Sequence, residues 1–132
     1  MNWPGLWSRI RSPRIIVYAD FIDPFCYIGF HNLRLVAEAA KIPLTWRGFE
    51  LNPGTPLEGS HLQTADNSDL RQGMWLSVAA FAKESGLILV PPDRVPNTRL
   101  AQFWVHSLRS GVVKNSLIER IYQAYLSDKP GL

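Results

Sequence analysis

The sequence predicts an α/β protein that opens as strand, helix, strand and continues as an all-helical region. Three observations carry this reading. A short β-branched run, Ile15-Ile16-Val17-Tyr18-Ala19, ends at acidic and proline punctuation. Asp23-Pro24 then opens a stretch of helical periodicity. Beyond a long polar loop the remaining apolar residues recur at helical spacing, not in alternation.

Taken in order, residues 14–20 form a buried strand. Asp23 is the N-cap and Pro24 the first helical position of a helix that runs to about Ala40, with Ile28, Leu33, Val36 and Ala40 on or near its inner face. Residues 43–51 form a second strand, Leu44 and Trp46 on one face and Thr45, Arg47 and Phe49 on the other. A right-handed crossover makes the two strands parallel. Residues 52–67 hold prolines, glycines and small polar residues and form a loop.

Three helices are expected after it. The first covers residues 68–85, with Gly86 closing it and Lys83 in its last turn. Residues 87–96 carry three prolines and form an extended connection. The second helix covers 98–110, capped by Asn97 or Thr98 and ended by Gly111. The third starts near Ser116, where Ser116-x-x-Glu119 has the spacing of a capping box, and its apolar face is Leu117, Ile118, Ile121, Tyr122, Tyr125 and Leu126. Trp75, Phe81, Phe103 and Trp104 are expected in the core, and Arg71, Arg94, Arg99 and Arg109 in solvent.

Composition bounds the function. The 132 residues, 46% hydrophobic and 19% charged, suit one compact domain. A net charge of +3 is mild and fits a solvated surface better than a nucleic-acid binder, whose Lys and Arg would cluster on one face. No apolar run reaches the roughly 18–20 residues of a membrane span. The first 13 residues show no continuous apolar core or cleavage site of a leader, so a cytoplasmic protein is expected. Trp3, Leu6, Trp7 and Ile10 sit at helical spacing beside Arg9 and Arg11; the simplest account is a loose terminus or a segment docked on its own domain, and the sharper one a membrane-surface anchor. His31, His61 and His106 have no metal-ligand spacing, and no phosphate loop, dinucleotide fingerprint or serine elbow is present. No metal or cofactor is expected.

The informative chemistry lies at Asp23-Pro24-Phe25-Cys26. A cysteine in the first turn of a helix that follows a buried strand has the layout of a thioredoxin-type redox site. Such a site uses two thiols two residues apart. Here an aspartate holds the first position and the chain has one cysteine, so it cannot close an internal disulfide. A carboxylate at a helix start is stabilised by the same N–H groups that favour a thiolate, but it exchanges no disulfides. The plainest account makes Asp23 a cap and Cys26 a small buried apolar residue.

The segment Asp20-Phe21-Ile22-Asp23-Pro24-Phe25-Cys26-Tyr27-Ile28-Gly29 resembles the active-site segment of the DsbA-like thioredoxin-fold superfamily, and most closely its FrnE-like oxidoreductase branch, where C-P-W-C-Y-I-G is typical. Trp46 to Pro53 is similar to that branch's second strand and its exit, Pro96-Asn97-Thr98-Arg99-Leu100-Ala101 to its helix-opening N-T motif, and Tyr122-Gln123-Ala124-Tyr125-Leu126 to its A-Y-F segment. The superfamily also includes 2-hydroxychromene-2-carboxylate isomerases and kappa-class glutathione transferases.

The resemblance implies the N-terminal half of a thioredoxin fold with an all-helical insertion: an extension over residues 1–13, the strand-helix-strand unit over 14–52 and the insertion over 53–132. It implies Asp23 and Cys26 in catalytic positions, and Pro24, Phe25, Asn52, Pro53, Asn97 and Thr98 lining the cleft. The later strands, last helix and cis-proline loop of the family have no counterpart in the sequence, so a truncated fold is expected. Its first strand, 14–20, would then present an open edge, with self-association, a partner chain carrying the rest, or low stability as the expected outcomes. Three functions are weighed: a thiol-disulfide oxidoreductase homologue acting at most as a monothiol or completed by another chain, a catalytically inactive binding or scaffold module or truncated product, and a glutathione-dependent isomerase or transferase with glutathione as co-substrate.

Overall fold

The structure is a computed structural model that describes residues 12–62 and 68–127. The expectations for Trp3, Leu6, Trp7 and Ile10 lie outside the described residues. Strand β1 (Ile15–Ala19) leads through a turn into helix α1 (Pro24–Ala40), and β2 (Leu44–Gly48) returns parallel to β1. The register pairs Ile15 with Leu44, Val17 with Trp46 and Ala19 with Gly48. Then come β3 (Ser60–His61), α2 (Ser68–Glu84), β4 (Arg94–Val95), α3 (Arg99–Ser107) and α4 (Val112–Leu126).

Helix α1 forms where the sequence signals it. Asp23 adopts extended backbone and its carboxylate accepts the Phe25 N–H at 2.8 Å, while Pro24 gives up a donor that the first turn does not need. Lys41 ends the helix in the left-handed region, at φ 55°. The buried residues of α1 are Pro24, Tyr27, Ile28, Phe30 and Ala37, so its inner face is rotated from the one expected: Val36 is 60% exposed. The inner face is broad because two helices pack on it. Tyr27 and Phe30 meet Tyr122 of α4, and Ile28 meets Val78 and Ala82 of α2.

The main core joins the sheet face of Ala19, Leu44 and Trp46 to α1, α3 and α4. Aromatic rings fill it. Phe21 stacks on Trp46 at 4.7 Å, meets Tyr122 edge-on at 5.0 Å, and Tyr122 stacks on Tyr27 at 4.9 Å. Each such buried ring contributes about 2–3 kcal/mol by area alone. The opposite sheet face is open: Ile16 is 36% exposed and Tyr18 62%.

Several expectations are corrected. Helix α4 begins at Val112, not near Ser116, and Gly111 at its cap supplies no side-chain bond. Glu119 does not cap; it accepts from His31 at 2.7 Å and sits 2.8 Å from the Arg34 guanidinium, close enough for a charge contact though poorly aligned for a hydrogen bond. Helix α3 ends at Ser107, three residues short of the expected end. The proline-rich connection contains β4, which pairs antiparallel with β3 inside the expected loop. Phe81, Phe103 and Trp104 are 54%, 65% and 62% exposed, and of the four aromatics expected inside only Trp75 is partly buried. Arg99 is not free in solvent but forks onto the Glu50 carboxylate at 2.9 and 3.1 Å. The Arg71 guanidinium donates to the Pro92 carbonyl, and that of Arg94 to the Glu58 carbonyl.

Candidate functional site

The site is built at the carboxyl end of β1. The chain leaves the sheet at Asp20, turns through Phe21 and Ile22, and enters α1 at Asp23. This turn is fixed from beneath. Asp20 is 1% exposed, and its carboxylate accepts from the Leu51 N–H at 2.8 Å, the Thr98 hydroxyl at 2.7 Å and the Gln102 amide at 3.0 Å. The Tyr122 hydroxyl donates to the Asp20 carbonyl at 3.2 Å. A buried carboxylate is tolerated only when such donors replace its water. Asp20 thereby ties β1 to the exit of β2, to α3 and to α4 at one point. Gly48 makes this approach possible, because a Cβ there would lie 2.4 Å from the Gln102 side chain.

Cys26 faces this turn from the first turn of α1 and is partly buried. Its thiol is pushed up from 9.0 to about 11. Burial is the main cause. A backbone hydrogen bond at Asp20 works in the other direction, but the Asp23 carboxylate raises the value by its charge and by accepting a hydrogen bond from the thiol, and Asp20 adds to that. The thiol is therefore protonated at neutral pH. A reactive cysteine at a helix start shows the opposite shift.

The structure thus brings Asp20, Asp23 and Cys26 together. Pro24 is buried as the first helical residue, and Phe25 is 42% exposed with its ring edge-on to Phe81 at 6.1 Å. Asn97 and Thr98 reach the site from α3 with different tasks. The Asn97 side chain accepts the Arg99 N–H at 3.0 Å and donates to the Thr55 carbonyl at 2.7 Å, so Asn97 is the residue that caps α3. Thr98 spends its hydroxyl on Asp20 instead. Both line an open apolar cleft of about 360 Å³ with Phe21, Ala101, Ile121 and Tyr125. Asn52 and Pro53 do not line this cleft; their carbonyls accept from Thr55 and Arg99 in the loop after β2.

Sequence reasoning missed Asp20, Gln102 and Tyr122 as the frame of the site. An acid directly after a buried strand was the available signal for Asp20. The other two lie on helices, where nothing local marks them. Among the described residues no three His, Cys, Asp or Glu side chains converge as a metal site, and no helix is long and apolar enough to cross a membrane.

Comparison with known proteins agrees with this architecture. The chain is 25% identical over 117 residues to the uncharacterized protein YwbO of Bacillus subtilis (strain 168), covering 86% of this chain and 56% of that protein. Its fold superposes on a probable DsbA oxidoreductase, SCO1869, from Streptomyces coelicolor with a TM-score of 0.74 at 21% identity, over 90% of this chain and 56% of the other. It superposes on a 2-hydroxychromene-2-carboxylate isomerase with a TM-score of 0.67 at 17% identity, over 86% and 56%. The chain therefore spans about half the length of these relatives. The profile of the DSBA-like thioredoxin domain matches residues 14–130, and the chain belongs to that family.

Proposed function

We propose that this chain is a thiol-disulfide oxidoreductase homologue whose Asp-Pro-Phe-Cys site has lost dithiol exchange, acting at most through Cys26 as a monothiol. The observation that carries this reading is the pair Asp23 and Cys26. A capping carboxylate stands where a nucleophilic sulfur would be, and the remaining thiol is held protonated, at about 11, by burial and by that carboxylate. Exchange needs a thiolate to attack and a second thiol to resolve the mixed disulfide. At neutral pH the Cys26 thiolate is scarce, and the sequence holds no second thiol.

The second element of the proposal is completion by another chain. Among the described residues β1 has one strand neighbour, β2, and its other edge and outer face are open. On this reading residues 14–52 are the thioredoxin-like unit, residues 53–132 a helical insertion, and the partner supplies a strand beside β1. The alternative of a glutathione-dependent isomerase or transferase has less support, because the Asp23 carboxylate would repel a glutathione thiolate at the helix start.

The test is to incubate the folded protein with oxidised glutathione and measure its mass. A single glutathione adduct that is absent in Cys26→Ser supports the monothiol reading. A folded chain that gains no adduct even in mild alkali overturns it in favour of an inactive binding module. Robust insulin reduction by the wild-type chain would refute the proposal altogether.

A further inference from the structure

Helix α3 turns apolar residues to both sides. Val105 is buried in the main core, with Ala101 and Gln102 half-buried beside it. Leu100, Phe103 and Trp104 lie on the opposite face at helical spacing, and all three are exposed, Leu100 by 67%. The Phe103 and Trp104 rings meet edge-on with centroids 6.4 Å apart. Leu108 follows at the cap of α3, and Val112 and Val113 open α4 at 78% and 79% exposure. The short chain between them keeps Val112 within about 15 Å of Leu108. Single exposed apolar residues need no explanation, but a group that includes two large aromatic side chains marks a contact surface.

The charge around this face has one sign. From Arg94 to Ile118 the sequence holds Arg94, Arg99, Arg109 and Lys114 and no Asp or Glu. Arg109 stands exposed in the turn between α3 and α4, with no ion pair among the described residues. The nearby carboxylates are already held. Glu50, at the start of α3, takes the Arg99 fork, and Glu38, which shares a hollow with Lys41, Ser110 and Val112, takes Arg34. A two-fold contact between copies through this face would bring cations together with no free carboxylate to meet them. Nor is this the place of a completing strand. Helix α3 meets the sheet at β2, where Gln102 lies against Gly48, whereas the open edge belongs to β1.

We propose that the outer face of α3, with the turn that follows it, docks on an anionic lipid surface as a peripheral contact. Side chains that protrude from a convex helix need a matching groove in a protein partner, but the interfacial zone of a bilayer takes them up in any arrangement. An aromatic pair that includes tryptophan suits that zone, and an unpaired arginine supplies attraction to acidic headgroups. Among the described residues no helix is long and apolar enough to cross a membrane, so the contact lies on the surface. It is independent of the chemistry assigned to Cys26.

Co-sedimentation of the full chain with vesicles tests it. Phosphatidylcholine vesicles with roughly a third phosphatidylglycerol are expected to bind the chain at least about tenfold more tightly than phosphatidylcholine alone, and high salt to erode the difference. Phe103→Gln with Trp104→Gln, both at exposed positions, leaves the Tm within about 2 °C and weakens binding by about tenfold or more. Leu100→Gln, made separately, weakens it in the same direction, and Arg109→Gln removes part of the preference for the anionic vesicles. Brominated acyl chains quench the tryptophan fluorescence of the bound chain, and Trp104→Phe, which still binds, loses much of that quenching. The proposal is overturned if the anionic vesicles bind no better than the neutral ones. It is equally overturned if the Phe103 and Trp104 substitutions leave binding intact while Trp3→Gln with Trp7→Gln abolishes it. Light scattering that shows the Phe103 and Trp104 substitutions dispersing an oligomer, with no vesicle binding by the wild-type chain, would assign the face to a protein contact instead.

Discussion

The thiol of Cys26 is a stronger acid in the unfolded chain than in the folded one, and the difference is measurable. Its value rises from 9.0 to about 11 on folding. Below pH 9 both states hold the proton. Between about 9 and 11 the unfolded chain releases a proton that the folded chain keeps, so this residue's contribution to stability is lost as the pH rises through that window. Alkylation by iodoacetamide should track the same shift. Its rate is expected to climb towards pH 11 in native buffer but to level off near pH 9 in denaturant. Asp23→Ala should bring the native midpoint down, because it removes a negative charge and an acceptor that favour the neutral thiol. It should also cost about 1 kcal/mol as a lost cap. A native midpoint at or below 9 would remove the basis for a protonated Cys26. Asp23 was legible as a cap from its place before Pro24. Its effect on Cys26 was not, because that depends on how deeply the first turn is buried.

At the scale of elements, local signals located α1 well and α4 poorly. Helix α1 has Asp-Pro at its start and a clear period. Helix α4 starts at Val112-Val113 behind a glycine, with no local cap, while Ser116-x-x-Glu119 mimics one inside the helix. Glu119 is instead captured by His31 and Arg34, on a helix more than 80 residues earlier in the chain. That clamp holds α4 against α1 in a largely buried setting, where removing one partner strands the others. Glu119→Ala is therefore expected to cost about 2–4 kcal/mol, and Ser116→Ala, mid-helix and exposed, less than about 0.5 kcal/mol. Urea unfolding of the two variants measures both; equal small losses would mean that the clamp contributes nothing. The β3–β4 pair escaped notice for a similar reason. Each strand has two residues, too few for a period, and the pairing spans the whole of α2.

For the whole molecule, the sheet has two described strands, with Ile16 and Tyr18 on its uncovered face. In a parallel pair alternate residues direct their backbone groups to the partner strand, as the Ile15 N–H to Pro43 and the Ala19 carbonyl to Phe49 do here. The N–H and C=O groups of Ile16 and Tyr18 then point to the open edge. An edge of this kind pairs with another strand, and a lysine on it opposes pairing. Tyr18→Lys is thus expected to reduce association of the purified chain, or its capture of a partner strand, while changing stability by no more than about 0.5 kcal/mol at so exposed a position. Light scattering at micromolar concentration checks this, and a wild-type chain that remains a stable monomer would count against completion through β1. The sequence by itself determined the strand-helix-strand opening, the helical character of the rest of the chain and the replacement of one thiol by a carboxylate. These rest on short-range causes: β-branched runs, a capping residue, and the identity of two side chains three positions apart. Tertiary structure decided which helix faces turn inward, why Phe103 and Trp104 stay outside, and how Asp20 gathers Leu51, Thr98, Gln102 and Tyr122. Those outcomes depend on groups distant in sequence that must share one buried place, and no local pattern encodes that.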